Sequence, residues 1–277
     1  AWTAPHCRTR YRRGGPIRVG LISRFLFNHS IGKTTRGFVR ELSRHEFEVI
    51  VIRVPPLISD EVSAAIDQDA DGVVHLDWDV ARNREEIARL ELDVLFYQDI
   101  GMDAMAYMLA FARLAPVQCV SFGHPNTTGI PTMDYFVSND LFEATGAETH
   151  YSERLVLLND LPTLAYYLTP QPATVVLDRA AFGLPRDANL YVCPQMLFKL
   201  HPDYDSVLAE ILRRDARGLV VLIEGSVSHH TRTLQDRFRA AAADVADRVV
   251  FLKRMNTNAF MGLLAVADVI LDTLHFN

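Results

Sequence analysis

The sequence predicts an α/β protein built from two doubly wound parallel sheets. Short, almost wholly apolar runs alternate along the chain with segments of helical period. These runs lack the strict in-out alternation of half-exposed strands, so they fit strands buried on both faces of a parallel sheet. A proline-bearing stretch at residues 158–174 interrupts the alternation, and a second strand-and-helix series follows it.

The first series of strands and helices predicts one complete sheet. It predicts strands at residues 17–22, 47–54, 72–76, 93–97, 117–122 and 134–138, with helices at 33–43, 59–68, 79–90 and 103–114. Ser59 is the predicted cap of the second helix. Strands that alternate with helices form parallel sheets, so this sheet is expected to be complete by about residue 165.

The second series predicts strands at residues 190–194, 219–225, 248–253 and 269–272, with helices at 201–213, 231–243 and 258–265. The domain prediction is an N-terminal extension at 1–16, a first domain at 17–165, a linker at 166–174 and the first part of a second domain at 175–277. The chain begins with Ala1 and stops soon after a strand, so we expect a fragment of a longer protein.

Composition excludes several classes of function. The net charge of -6 argues against a broad phosphate-binding face, so no nucleic-acid partner is expected. The three cysteines are far apart and indicate apolar core positions rather than a disulfide framework. No apolar run approaches the roughly 20 residues that span a bilayer, so no membrane partner is expected and a cytoplasmic location is predicted by default.

Two loops of the first domain carry candidate chemistry. His29, preceded by Asn28, lies between the first strand and its helix, at the carboxyl end of the sheet, where open α/β folds bind ligands. The loop GHPNTTG follows the fifth strand and supplies Gly123, His124 and two threonine hydroxyls. The alternative for this second loop is a tight turn with threonine caps, and composition leaves both open.

In the second domain, Lys199 follows the first strand, where an ammonium group can oppose the charge that develops on a departing nucleotide. The alternative is an exposed lysine before a helix. His229 and His230 suggest a metal pair, but adjacent side chains point apart, which favours a surface loop. The stretch Asp77-Trp78-Asp79 matches a metal-binding DxD pattern, but a helix cap at Asp79 is the preferred interpretation.

Seven stretches, in this order, resemble the catalytic region of the O-linked N-acetylglucosamine transferase and SPINDLY-like family, glycosyltransferase family 41. They are NHSIGK, DVLFYQDIG, LAPVQCVSFGHPNTTGIPTMDYF, HYSERLVLL, FGLPRDANLYVCPQMLFKLHPDYDSVLAEILRR, RVVFL and LAVADVILDTLHFN. The resemblance implies a GT-B architecture of two Rossmann-like domains, the second one incomplete here. It also implies inverting, metal-independent transfer from a UDP-sugar, commonly UDP-N-acetylglucosamine, to a protein hydroxyl. The match is to bacterial-type members, and family members usually carry tetratricopeptide repeats upstream.

The resemblance assigns roles by position. His29, His124 and Lys199 become the expected catalytic residues, and Gln195, Lys199 and Asn277 the expected UDP-sugar contacts. The acceptor-side loop residues are Asn28, Gly123, Thr127 and Thr128. No metal and no cofactor are expected, because the UDP-sugar is a co-substrate, and the other partner is a protein or peptide acceptor.

The sequence also departs from the family. Met196 stands where vertebrate members have a glutamine three residues before the lysine, with Gln195 displaced by one. Ala88 and Phe260 fall where the family has histidines, so not all nucleotide contacts are expected to match. Two other functions stay open: an asparagine N-glucosyltransferase of the adhesin-modifying type that uses UDP-glucose, and a noncatalytic fragment or protein-binding module.

Overall fold

The computed structural model describes residues 2–8, 14–158 and 177–275. These residues fall into two compact units, one on each side of the gap at 159–176. The predicted domain end at 165 and the predicted linker at 166–174 lie outside the described residues. Residues 2–8 were assigned to an extension, but they pack on the first unit: Ala4 is fully buried and its N–H donates to the Arg113 carbonyl oxygen.

The first unit contains a seven-stranded sheet in which every neighbouring pair is parallel. Its strands are β1 (Ile17–Ser23), β2 (Phe47–Arg53), β3 (Gly72–His75), β4 (Val94–Tyr97), β5 (Val117–Ser121), β6 (Tyr135–Asn139) and β7 (Arg154–Leu158). The strand order is β3-β2-β1-β4-β5-β6-β7. Strands are added in one direction from β1 to β3 and in the opposite direction from β4 to β7, so the strand order reverses between β1 and β4. Parallel sheets of this kind bind ligands at that switch point.

Four helices cover this sheet: α1 (Ser30–Glu41), α2 (Glu61–Asp69), α3 (Val80–Arg89) and α4 (Ala104–Ala110). The predicted start of α1 at residue 33 is wrong, because the His29 side chain caps the helix and it begins at Ser30. The predicted Ser59 cap of α2 is also wrong. Asp60 caps that helix and forms a reciprocal capping box with Ser63.

Two differences concern the far half of the sheet. Helix α4 ends at Ala110, earlier than the predicted residue 114, and the Ala110 carbonyl oxygen accepts a hydrogen bond from the Thr132 hydroxyl. The structure also adds β7, which sequence reasoning did not identify as a strand. This edge strand is partly exposed along its length, and its four apolar residues at 155–158 run directly into the proline-bearing stretch that begins at residue 158.

The core of the first unit forms one layer on each face of the sheet. Val51 of β2 packs with Val39 of α1 and Ile66 of α2 on one face. Leu95 of β4 and Leu109 of α4 belong to the layer on the other face. Complete burial of each such side chain contributes roughly 1.5–3 kcal/mol, so the layers on both faces stabilise the sheet.

The second unit has a four-stranded parallel sheet in the order β10-β9-β8-β11. Its elements are β8 (Asn189–Cys193), α5 (Pro202–Arg214), β9 (Gly218–Ile223), α6 (Ser228–Ala241), β10 (Val249–Leu252), α7 (Thr257–Val266) and β11 (Val269–Ile270). Its switch point lies between β8 and β11. No helix in the described part of the chain is both long enough and apolar enough to cross a bilayer.

Candidate functional site

Three loops meet at the carboxyl edge of the first sheet, after β1, β4 and β5. A Cβ atom on Gly123 would lie 1.9 Å from the Gln98 carbonyl oxygen, so the loop after β5 rests directly on the loop after β4. Only glycine permits that approach. The predicted acceptor-side residue Gly123 therefore shapes the edge through its backbone.

His29 serves as a helix cap, and this role determines its proton chemistry. Its Nδ1 atom accepts a hydrogen bond from the Ile31 N–H at 3.2 Å, and its ring lies 4.7 Å from the Phe25 ring, centroid to centroid. Burial, with a smaller contribution from the nearby Lys33 charge, lowers the pKa of His29 below its ordinary value. Because Nδ1 is an acceptor, the neutral ring carries its proton on Nε2 and offers a donor there.

His124 lies half-buried at the start of the loop after β5. A Cβ atom on Gly101 would lie 2.5 Å from Cδ2 of His124, so the imidazole ring packs against the Gly101 backbone. Gly101 has a positive φ of 105°, which favours glycine as well. In contrast to His29, the His124 ring is not tied to a helix cap, and either nitrogen can carry the proton of its neutral form.

The two threonines of the GHPNTTG loop bond to a residue that sequence reasoning missed. The Thr127 hydroxyl donates to Glu153 Oε2 at 2.7 Å, and the Thr128 N–H donates to Glu153 Oε1 at 2.9 Å. The Thr128 hydroxyl also donates to Oε1. Glu153 is 5% exposed and immediately precedes β7, so these bonds draw the loop toward the amino end of that strand. The turn-forming alternative accounts for both hydroxyls.

The carboxylate of Glu153 is held ionised by this arrangement. Burial alone raises its pKa, but the hydrogen bonds from Thr128 and Thr127 outweigh that effect and hold the pKa below its ordinary value. Asn28, the remaining acceptor-side residue, is exposed, and its backbone N–H donates to the Asp60 carboxylate at 2.7 Å.

A second residue missed by sequence reasoning lies at the switch point. Asp99, in the loop after β4, is fully buried, and its Oδ2 atom accepts a hydrogen bond from the Ser23 hydroxyl at 3.0 Å. In the described part of the chain, no hydrogen-bond partner faces Asp99 Oδ1. Burial raises the pKa of Asp99 to about 7. The available signal was an acidic residue two positions after the end of an apolar strand.

In the second unit, a chain of polar contacts crosses the switch point between β8 and β11. The Lys199 ammonium donates to Gln195 Oε1 at 3.1 Å, and the Gln195 amide donates to Asp272 Oδ1 at 2.8 Å. Gln195 and Lys199 therefore lie together, even though Gln195 stands one position before the place at which vertebrate family members are expected to have a glutamine. Asp272, 77 residues away from Gln195, was not predicted. The predicted contact Asn277 lies outside the described residues.

The stretch Asp77-Trp78-Asp79, which matched the DxD pattern, forms the N-terminal cap of α3. The Asp79 side chain accepts hydrogen bonds from the Ala81 and Arg82 N–H groups at the start of α3. Asp77 accepts from the Asp79 N–H at 2.8 Å and pairs with Arg82 at 3.1 Å. The preferred interpretation of this stretch is therefore confirmed. His229 and His230 are exposed, but they lie in the first turn of α6 rather than in the predicted loop.

One group within residues 2–8, 14–158 and 177–275 has donors spaced for a metal ion: His201, Asp203 and His275, all exposed. His275 Nε2 lies 3.0 Å from Asp203 Oδ2, and His201 Nδ1 already accepts from the Asp203 N–H at 3.2 Å. Both contacts are accounted for by hydrogen bonding. The group stands at the N-terminus of α5, where the helix dipole opposes a cation. We therefore assign no metal to it.

No family model matches the chain. It is 26% identical over 276 residues to a probable UDP-N-acetylglucosamine–peptide N-acetylglucosaminyltransferase SEC of Arabidopsis thaliana, covering 95% of this chain and 27% of that protein. It is 29% identical over 215 residues to a UDP-glucose:protein N-beta-glucosyltransferase of Actinobacillus pleuropneumoniae, covering 74% of this chain and 32% of that protein.

Solved structures show the same likeness. An O-GlcNAc transferase of Thermobaculum terrenum, solved as a mutant, matches with a TM-score of 0.77 and 26% identity over 94% of this chain and 49% of that one. A glycosyltransferase of Rickettsia africae matches in fold alone, with a TM-score of 0.53 and 12% identity over 93% of this chain and 73% of that one. This chain thus spans less than half the length of the first relatives it matches.

Two parallel sheets with polar residues at their switch points, together with these neighbours, define the GT-B class of glycosyltransferase fold. Within that class, the relatives confirm the resemblance to the O-linked N-acetylglucosamine transferase and SPINDLY-like family, which the sequence motifs indicated.

Proposed function

We propose that the whole protein is an inverting, metal-independent glycosyltransferase that moves N-acetylglucosamine from a UDP-sugar to a serine or threonine hydroxyl of a protein. The similarity to the N-acetylglucosaminyltransferase of Arabidopsis and the O-GlcNAc transferase of Thermobaculum supports this proposal. The observation that carries it is the contact chain from Lys199 through Gln195 to Asp272, at the edge of a Rossmann-like sheet where ligands bind.

On the donor side, Lys199 and Gln195 contact the diphosphate of the UDP-sugar. The side-chain Oε1 atom of Gln195 orients the Lys199 ammonium, which is a point charge suited to phosphate oxygens. As the bond between the anomeric carbon and the diphosphate breaks, negative charge grows on the leaving oxygen. An ammonium group fixed beside that oxygen stabilises the transition state more than the ground state.

On the acceptor side, the two histidines differ in role. His29 donates from Nε2, because its Nδ1 atom is engaged at the start of α1, so it orients an acceptor or sugar oxygen. His124 rests on Gly101 outside any helix cap, so its ring can present a lone pair and act as the proton acceptor for the attacking hydroxyl.

The second candidate is transfer of glucose to asparagine. The Actinobacillus relative is named a UDP-glucose:protein N-beta-glucosyltransferase, and it matches 74% of this chain at 29% identity. The histidine of the GHPNTTG loop also favours it, because the family resemblance implies a histidine at this place in members that glucosylate asparagine. A bacterial origin, a cytoplasmic location and upstream tetratricopeptide repeats are further parts of the proposal.

The decisive experiment supplies the whole protein with UDP-N-acetylglucosamine or UDP-glucose and a library of acceptor peptides. Release of UDP and the mass of the modified residue are measured together. Attachment of N-acetylglucosamine to serine or threonine supports the first proposal, and glucose on asparagine supports the second. Absence of transfer from both donors, with a correctly folded protein, would leave a noncatalytic binding module and overturn both.

A further inference from the structure

A buried carboxyl group joins the two strands that flank the switch point of the first sheet. Asp99 follows β4, and it bonds to Ser23, the last residue of β1, across 76 positions of sequence. Asp99 is 0% exposed, and in the described residues its Oδ1 atom has no hydrogen-bond partner. A buried acid with an unsatisfied oxygen lowers stability, so its presence at a ligand-binding edge calls for a functional reason.

The contacts of Ser23 lead from Asp99 to His29. The Ser23 hydroxyl donates to Asp99 and its oxygen accepts the Phe25 N–H at 2.8 Å. The Phe25 ring then lies 4.7 Å from the His29 ring, with 32° between their planes. Each step is a direct contact, so the position of Asp99 fixes the turn at Phe25 and the surface on which the His29 ring rests.

Neighbouring charges hold the same two loops together. Arg24 pairs with Asp103 at 3.3 Å, and Asp103 also caps α4 through the Ala106 N–H. Arg24 and Asp103 are the charged groups that act on Asp99, from the loop after β1 and the start of α4 respectively. The loop after β4 also contributes Gly101, against which His124 packs. This loop therefore supports both histidines.

We propose that Asp99 is a positioning residue for His29, acting through Ser23 and Phe25. Because Asp99 is fully buried, it acts through other side chains. It holds the loop after β1 so that His29 Nδ1 remains bonded to the Ile31 N–H and Nε2 remains the ring's donor. Its consequence for catalysis rests on the proposed function, but the structural relay does not.

The relay is tested by titrating His29 in the isotopically labelled protein by NMR, with a His29→Asn sample to identify its signals. The variants are Ser23→Ala, Asp99→Ala and Asp99→Asn. The matched control is Asp93→Ala, because Asp93 accepts a hydrogen bond from the Arg18 N–H at the opposite end of the same strand pair. Asparagine keeps an acceptor oxygen for Ser23, whereas alanine removes it.

We expect the pKa of His29 to rise toward its ordinary value in Ser23→Ala and Asp99→Ala, because the ring loses its burial and its cap. Asp99→Asn and Asp93→Ala should leave it unchanged. If Asp99→Ala does not fold, Ser23→Ala alone tests the relay. An unchanged His29 titration in folded Ser23→Ala overturns the proposal, as does an equal shift in the Asp93 control.

Kinetic measurements of sugar transfer distinguish a failure of this positioning role from a failure of the proposed glycosyltransferase function. In the whole protein, Ser23→Ala should lower kcat/KM for the acceptor by about tenfold or more, with an unchanged KM for the UDP-sugar. If the wild-type protein transfers no sugar, the proposed function fails while the NMR result still judges the relay. If transfer occurs and Ser23→Ala shifts the His29 titration without changing kinetics, the relay is structural only and the positioning role is overturned.

Discussion

The Thr127 hydroxyl donates a hydrogen bond to Glu153 Oε2 at 2.7 Å, joining the loop after β5 to the residue that precedes β7. Both threonines of this loop are bonded to the same buried carboxylate, which the sequence motif alone did not reveal. The loop that begins at His124 is thus anchored at its far end.

Replacing Glu153 with glutamine is expected to destabilise the first unit. An amide oxygen accepts where one carboxylate oxygen did, but its NH2 group faces hydroxyl and backbone donors. Loss of charge-assisted bonds to a buried acceptor costs about 1.5–3 kcal/mol each, less whatever the amide recovers. Chemical unfolding measures the change. Glu148→Gln is the control, because Glu148 is exposed five residues earlier; equal stability of the two variants would contradict the anchor.

Lys199→Ala in the whole protein should lower kcat for sugar transfer roughly 10²-fold or more, because a charge aimed at the leaving group is lost. Lys253→Ala provides the control, since Lys253 is an exposed lysine of the same unit. Turnover is measured as UDP release with the acceptor saturated. Retention of wild-type kcat by Lys199→Ala would remove the residue from the leaving-group role.

His29 variants separate capping from chemistry. His29→Ala should destabilise α1 by about 1 kcal/mol, while His29→Asn retains a capping oxygen and most of that stability. Both should lose transfer activity, because neither restores the Nε2 donor. Unfolding and kinetics are measured on the same samples. Full activity in His29→Asn would reduce this residue to a cap.

The same residue predicts a pH dependence of stability. The pKa of His29 is lowered in the folded protein, so the stabilisation from its neutral form is present above its ordinary pKa and is lost as the pH falls through the folded value. Protonated Nδ1 also cannot accept from Ile31. The wild type should therefore lose more stability than His29→Asn between pH 7 and pH 5, approximately, and parallel curves would contradict this linkage.

Asp99 predicts the opposite trend. Its pKa is raised from 3.8 to about 7 by burial, so its stabilising protonated form is fully present below the ordinary pKa and is lost as the pH rises through about 7. Asp99→Asn should be more stable than the wild type at about pH 8, by up to roughly 4 kcal/mol, and similar to it near pH 4. Thermal unfolding across this range measures it, and Asp93→Asn is the control. A constant difference at all pH values would show that Asp99 does not titrate in the fold.

The local elements of this protein follow from short stretches of sequence. Apolar runs of four to seven residues predict the central strands, and the Asp79 cap was predicted from its position before an amphipathic segment. The errors in the helices lie at their ends: α1 and α2 begin where His29 and Asp60 cap them, and α4 ends at Ala110. The partly exposed edge strand β7 was missed because its apolar residues run directly into the proline-bearing stretch at residues 158–174.

The candidate site likewise has features that local sequence predicts and features that only the tertiary structure shows. The sequence by itself determined that Lys199 and the two histidines follow strand ends, since strand, loop and order along the chain are local properties. Only the tertiary structure decided that Asp99 lies under Ser23, that Glu153 takes both threonine hydroxyls and that Asp272 meets Gln195. These partners are 25 to 77 residues apart, and strand order rather than local propensity brings them together.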